Sequence, residues 1–315
     1  MSVNGWLVVD KPLGPSSAQV VGKVKWLFKN AGMKLTKIGH AGTLDPLASG
    51  LLPLALGEAT KTVGFMLEAD KAYEFTVVFG TQTSTDDAAG DVVAESPVRP
   101  TLEEVMGVLG RFTGPITQMP PAVSALKVAG ERAYDVVRRG EVPVLQAREV
   151  VVRELRVEHA GEAGGIALDA RLRGHDAPKV RAEQLRCFAR VSKGTYIRSL
   201  ARDMAVAVGT VGHVGSLRRV VHGPFDSAEA ITLEELDRCL KTGQTPPVRP
   251  VVRALHGLAA YQVSPAQAHN LHHGKALADT GWKLGVASVM EGERLVAMVE
   301  VDSAGTAHPK RVFNL

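Results

Sequence analysis

Gly39-His40-Ala41-Gly42-Thr43-Leu44-Asp45-Pro46-Leu47-Ala48-Ser49-Gly50 places one carboxylate in a run of glycine, proline and small residues. Neither a helix interior nor a strand interior uses that composition, because glycine costs backbone entropy and proline removes a hydrogen-bond donor. Asp45 is therefore expected on an irregular loop, with Pro46 fixing the backbone behind it. Loops on rigid scaffolds often carry chemistry, and Asp-Pro before small residues is equally ordinary turn chemistry; spacing alone leaves both readings open.

Working outward, Trp6 to Val9 reads as a short strand, and Asp10 to Ser17 as a turn into a serine-capped helix with Val20, Val24, Leu27 and Phe28 as its apolar stripe. Tyr73 to Phe79 alternates, so Tyr73, Phe75, Val77 and Phe79 share one face of a strand. Thr81 to Gly90 reads as a loop. Thr101 with Glu104 and Thr232 with Glu235 form capping boxes, for helices running to Arg111 and Leu240. Strands are expected at Val150–Val157, Ile166–Leu172 and Cys187–Val191, then a helix carrying Ile197, Leu200, Ala201, Met204 and Val208. The stretch from His159 to Arg186 is rich in Gly, Asp, Pro and Arg and reads as a surface insertion. Three prolines in Thr242 to Pro250 mark a boundary, after which Gly285–Met290, Leu295–Val301 and Lys310–Phe313 suggest a small β-barrel-like module. The pattern is mixed α+β.

The 315 residues, 45% of them hydrophobic, suffice for two domains with cores of their own. Lysine and arginine number 37 against 33 aspartates and glutamates, and the pI near 9.1 suits an anionic partner or a merely solvated basic surface. Cys187 and Cys239 fit neither a metal motif nor a disulfide scaffold, which favours a reducing cytoplasm. The N-terminal residues lack a basic region followed by a long apolar stretch, and no window approaches a membrane span, so neither export nor membrane insertion is expected.

A second motif, Ser192-Lys193-Gly194-Thr195-Tyr196-Ile197-Arg198, lies where a strand meets a helix. Arginine can hold a carboxylate bidentately and tyrosine can stack on a flat ring, so the pair suits a site handling a nucleobase beside Asp45; a solvent-facing helix start has the same composition. Pro120 to Lys127, continuing to Arg132, Arg138 and Arg139, reads either as a phosphate-gripping loop or as a solvated basic helix.

Taken in order, Asp10-Lys11-Pro12 with Gly14 and Ser16-Ser17, the Gly39 to Gly50 loop, Leu56 to Lys61, Lys71-Ala72-Tyr73, Pro120 to Lys127, Ser192 to Arg198 and Ser216-Leu217-Arg218-Arg219 resemble the bacterial tRNA pseudouridine synthase B family. The resemblance implies a pseudouridine synthase catalytic domain over 1–245, built on a central antiparallel sheet, with an RNA-clamping insertion near 120–146. It also implies a PUA-like RNA-binding domain over 250–315, carried by Glu291-Gly292-Glu293 and Leu295 to Val301. Ala41 and Ser49 stand where the family often has threonine.

The activity so implied is isomerisation of uridine 55 in the tRNA T-loop to pseudouridine, with no metal or organic cofactor, no obligatory protein partner and a monomeric enzyme acting on the T-arm stem-loop. Asp45 would be the catalytic carboxylate, Tyr73 would stack on the uracil and serve as the candidate base, and Arg198 would pair with Asp45. Tyr196 and Leu217 would wall the uracil pocket, and His40 would fill the space left by the flipped nucleotide. Lys11 would support the catalytic loop and Lys61 would meet a phosphate. Two other classes compete: a tRNA-binding folding factor that needs no chemistry, and a metal-dependent hydrolase using His40, Asp45, Asp86 and Asp87.

Overall fold

Ser16 accepts from the backbone N–H of Gln19 while the Gln19 side chain caps Ser16 in return, so the first helix starts where its sequence dictates. The computed structural model describes residues 3–124, 126–128, 130–161 and 181–315. Strand β1 (Gly5–Lys11) precedes this helix, α1 (Ser17–Asn30), which buries Val20, Val24, Leu27 and Phe28. A three-residue strand β2 (Ile38–His40) leads through the Asp45 loop into β3 (Ala48–Leu56), and α2 (Val63–Glu68) leads into β4 (Lys71–Phe79). Phe75, Val77 and Phe79 are buried and Tyr73 packs beside them, as the alternation requires.

Thr81 to Gly90, expected as a loop throughout, begins with a strand, β5 (Thr81–Thr83), paired to β6 (Val92–Glu95). The hairpin escapes pattern reading because Val92 and Val93 are exposed, leaving no inward-facing alternation. Helix α3 (Leu102–Val108) tightens into a 3-10 turn over Leu109–Phe112. Strand β7 (Gly114–Gln118) opens the insertion, in which β8 (Lys127–Val128) and β9 (Glu131–Arg132) pair ahead of α4 (Ala133–Arg138). Then follow β10 (Arg148–Gly161), β11 (Gln184–Val191), α5 (Ile197–Ala207), β12 (Gly212–His222), β13 (Phe225–Asp226) and α6 (Leu233–Lys241). The strand expected at Ile166–Leu172 lies outside the described residues.

The central sheet runs β1-β3-β12-β4-β11-β10-β7, with β2 on β3 and β13 on β12. Its neighbours are antiparallel except where β12 meets β3 in parallel. At that junction Gly50 lies opposite Arg219 with φ +98, and a Cβ there would stand 2.2 Å from the Arg219 carbonyl oxygen. Only glycine lets the two backbones approach this closely. Bulges in β12 flank Arg219 and Ser216, a common device for re-aiming side chains at a site.

A second sheet, β14 (Ala259–Gln262), β15 (Gly285–Glu291), β16 (Arg294–Val301) and β17 (Ala307–Val312), carries α7 (Pro265–His272). It has a core of its own around Leu271, Val289, Val296, Val299 and Val301. Leu295, Met298 and Phe313 instead join Trp6, Phe225 and Leu255 in a core shared with the larger sheet. The proline-rich boundary is pinned: Arg249 and Trp6 exchange backbone hydrogen bonds of 2.8 and 2.7 Å. No helix among the described residues is long and apolar enough to cross a membrane.

Gly50→Ala is expected to lose about 2–4 kcal/mol in urea unfolding, the combined scale of backbone strain and overpacking. Gly64→Ala, in open space on α2, should change stability by less than about 1 kcal/mol. Equal effects at the two sites would contradict the close approach at Gly50.

Candidate active site

Backbone and buried side chains hold the Asp45 loop from both sides. From below, Lys11, fully buried, donates to the carbonyls of Pro12, Pro46 and Ala48 at 2.9, 3.4 and 2.7 Å. Ser17 bonds both the carbonyl and the N–H of Leu44 at 3.0 and 2.8 Å, and Gly14 donates to Pro46 O at 2.8 Å. From the β12 side, Arg219 donates to Leu51 O at 2.7 Å and Gly42 O at 3.2 Å. The loop is thus fixed before any substrate arrives, while the Asp45 side chain stays 41% exposed.

Asp45 Oδ2 accepts from Arg198 Nη2 at 2.9 Å. The other terminal nitrogen of Arg198 lies 3.4 Å from Asp87 Oδ2 and donates to Thr85 O at 2.9 Å. Arg198 itself is only 5% exposed, a burial that is tolerable because carboxylates and a carbonyl answer its donors. One helical turn on, Arg202 pairs with Asp86 at 2.9 Å and donates to Met119 O at 3.0 Å. Asp86 adopts a left-handed φ of +57, a conformation aspartate tolerates better than most residues. Asp87 is locked by Thr85 Oγ1 at 2.6 Å and Ala89 N at 3.0 Å.

Asp45 and Arg198 line a cleft of about 250 Å³ together with Tyr73, Tyr196 and Leu217. The volume suits a single nucleobase. Five of the residues singled out in the sequence therefore converge. Tyr196 is positioned by a two-way clasp, in which the Gln118 side chain bonds both its N–H and its carbonyl at 2.8 and 3.0 Å. Burial pushes its phenol above the ordinary tyrosine range.

His40 is not in the lining of this cleft but in that of a separate groove, with Lys25, Lys37 and Thr60. Burial and then the Arg219 charge hold its imidazole below the usual histidine pKa, which favours a neutral ring. Lys61, expected at a phosphate, has its ammonium engaged by Glu58 Oε2 and Val312 O, both at 2.7 Å, and so ties β17 to the 3-10 turn Gly57–Thr62 that follows β3. The hydrolase set does not assemble. Asp86 and Asp87 are taken up by Arg202 and Arg198, and among the described residues no group of three or more His, Cys, Asp or Glu side chains could hold a metal ion.

Gln118 carries no signal in the sequence, Lys71 and Arg219 appear there only inside motifs, and Asp86 and Asp87 only as members of the hydrolase set. Lys71 lines the cleft and donates to Met66, Leu67 and Ala69 carbonyls at 3.4, 2.7 and 2.6 Å, closing the end of α2. Burial lowers both Lys11 and Lys71 to about 8 from 10.5. Between those values the unfolded chain binds more protons than the folded one, so these lysines make stability rise with pH. The stability of the wild type relative to Lys71→Met is expected to increase from pH 7.5 to 9.5 in chemical denaturation; a constant difference would contradict a depressed Lys71.

Comparisons with known proteins agree with this geometry. Residues 29–197 match the model for the TruB family pseudouridylate synthase N-terminal domain, and residues 198–256 match the tRNA pseudouridylate synthase B C-terminal domain. Proteins named tRNA pseudouridine synthase B from Rhodopseudomonas palustris and Novosphingobium aromaticivorans are each 44% identical to it. Both alignments cover 99% of this chain, and respectively 81% and 98% of the relative. Among solved structures, a chain of a Cbf5-Nop10-Gar1 complex superposes with a TM-score of 0.70 at 26% identity, covering 98% of this chain and 85% of that one. On these grounds the chain belongs to the TruB family of pseudouridylate synthases.

Proposed function

We propose that the chain isomerises uridine 55 in the T-loop of tRNA to pseudouridine. The observation that carries this reading is a half-exposed carboxylate, Asp45, fixed 2.9 Å from a buried guanidinium at a base-sized cleft with Tyr73 and Leu217 in its lining. Relatives of similar length bear the name tRNA pseudouridine synthase B, which supports tRNA as the substrate class.

In this mechanism the target nucleotide leaves the loop stack, at a cost of a few kcal/mol, and its uracil enters the cleft. Stacking on Tyr73 offsets that cost by about 1–3 kcal/mol. The C1′–N1 bond breaks, the uracil turns, and C5 bonds to C1′; the proton on C5 is then removed and N1 ends protonated, so atoms balance without a redox step. Asp45 acts either by attacking C1′ or by removing a sugar proton to give a glycal. Tyr73 is the candidate base for the C5 proton. Arg198 keeps Asp45 oriented through their 2.9 Å ion pair. Tyr196 and Leu217 confine the ring, and neutral His40 fills the vacated place in the loop stack. Lys11 holds the loop rather than moving a proton.

In the same reading, 1–245 forms the catalytic domain, with 120–146 as its RNA clamp, and 250–315 forms a PUA-like RNA-binding domain. The enzyme works as a monomer in the cytoplasm, without an obligatory protein partner. The test is an unmodified T-arm stem-loop incubated with wild type and with Asp45→Asn. Pseudouridine at the target is expected from the wild type, and the variant should be slower by at least about 10⁴-fold, the scale of losing an essential nucleophile, with RNA affinity retained. Equal rates would sink the catalytic assignment. A variant that modifies nothing but still accelerates tRNA folding would assign the folding role to RNA binding alone.

A further inference from the structure

Between Asp10 and Asp45 the chain has no carboxylate at all, yet it carries Lys11, Lys23, Lys25, Lys29, Lys34 and Lys37. Lys11 is buried under the catalytic loop, while the other five are exposed on α1 and on the connection to β2. The lysine ion pairs among the described residues involve Lys61, Lys193, Lys241 and Lys310, none of this group. Helix α6, which packs on α1 through Leu236 and Leu240, offers no counter-charge from Glu235 or Asp237. Glu235 caps its own helix at Thr232, and Asp237 pairs with Lys241. Lys23 instead lies 4.4 Å from the ring centre of Trp26, which is half exposed.

This basic face borders a groove of about 550 Å³ lined by Lys25, Thr36, Lys37, His40, Thr60 and Val63, among others, with no acidic residue in its wall. His40 Nδ1 is buried there without a hydrogen-bond partner. Strand β2, which forms part of this wall, continues directly into the loop that presents Asp45. A groove without acids, rimmed by unpaired ammonium groups and containing hydroxyls and an imidazole, has the chemistry of a polyanion track. Its wall residues Lys37 to His40 precede Asp45 by only eight to five positions, which favours a backbone near the reacting base.

We infer that Lys25, Lys29 and Lys37 form a phosphate-binding track that holds the RNA backbone flanking the target uridine, within the T-arm stem-loop itself. The inference rests on the RNA-modifying reading of the Asp45 cleft, and it adds a binding surface outside that cleft. Each phosphate neutralised by a lysine contributes about 0.7–0.9 to the slope of log affinity against log salt.

The test compares wild type, a Lys25→Gln, Lys29→Gln, Lys37→Gln triple variant, and the matching triple to arginine. Each is titrated with the unmodified T-arm stem-loop across a salt series, and pseudouridine formation by the wild type is assayed in parallel. The glutamine triple is expected to lose about two to three from the salt slope, and the arginine triple to keep it. An unchanged slope in the glutamine triple overturns the track, as does an arginine triple that behaves like the glutamine one. A slope loss seen with full-length tRNA but not with the stem-loop also overturns it, because the lysines would then meet RNA remote from the target. Absence of product from the wild type would remove the catalytic reading while leaving the slope result to stand on its own.

Discussion

A guanidinium at 5% exposure needs partners for its charge, and Arg198 finds them in Asp45, Asp87 and the Thr85 carbonyl. That requirement draws three distant pieces of chain together: the loop between β2 and β3, the turn after β5, and the first turn of α5. Left-handed Asp86 lets two consecutive carboxylates serve α5, with Asp86 meeting Arg202 and Asp87 meeting Arg198, residues spaced to lie on one helix face. Removing either carboxylate would leave a buried cation underpaired, at a much larger cost than losing a surface ion pair.

The same helix start reaches the insertion. Gln118 clasps the backbone of Tyr196, while Ser199 and Arg202 both donate to Met119 O, at 2.8 and 3.0 Å. The root of 120–146 is therefore hydrogen-bonded to the residues that position the cleft. On the opposite side, Lys11, Ser17 and Arg219 exchange the solvent of buried loop carbonyls for fixed donors. The orientation of the Asp45 carboxylate is thus set by folding.

Local signals in the sequence placed most elements. A serine caps α1 as expected, at Ser16; Thr101 and Thr232 cap their helices, and the β4 alternation buries the expected face. Capping is a contact between residues three apart, so it is readable without knowing the fold. Ser264 and Gln267 form the same box at the start of α7, with Pro265 at its first position, a signal present in the chain but passed over along with β14. The proline-rich stretch before it reads as a free boundary because the backbone exchange between Arg249 and Trp6 leaves no local trace.

The site was legible in part. Asp45 and the Tyr196–Arg198 pair stand out by their residue chemistry, Tyr73 and Leu217 enter through the family resemblance, and the cleft gathers all five. Asp86 and Asp87 lie in a stretch that reads as a loop and suggest only metal ligands, because Thr, Asp and Gly look alike whether a carboxylate faces water or a buried arginine. Arg219 and Lys71 carry charge, and charge argues for the surface until tertiary structure supplies carbonyls to receive it.

The most direct measurement is a double-mutant cycle on single-turnover pseudouridine formation, using Asp87→Asn, Arg198→Lys and the pair. If Asp87 acts on Asp45 through Arg198, Asp87→Asn slows the reaction, and the double variant loses far less than the product of the two single losses. An Asp87→Asn enzyme as fast as wild type, or losses that multiply independently, would contradict the bridge on which the site is built.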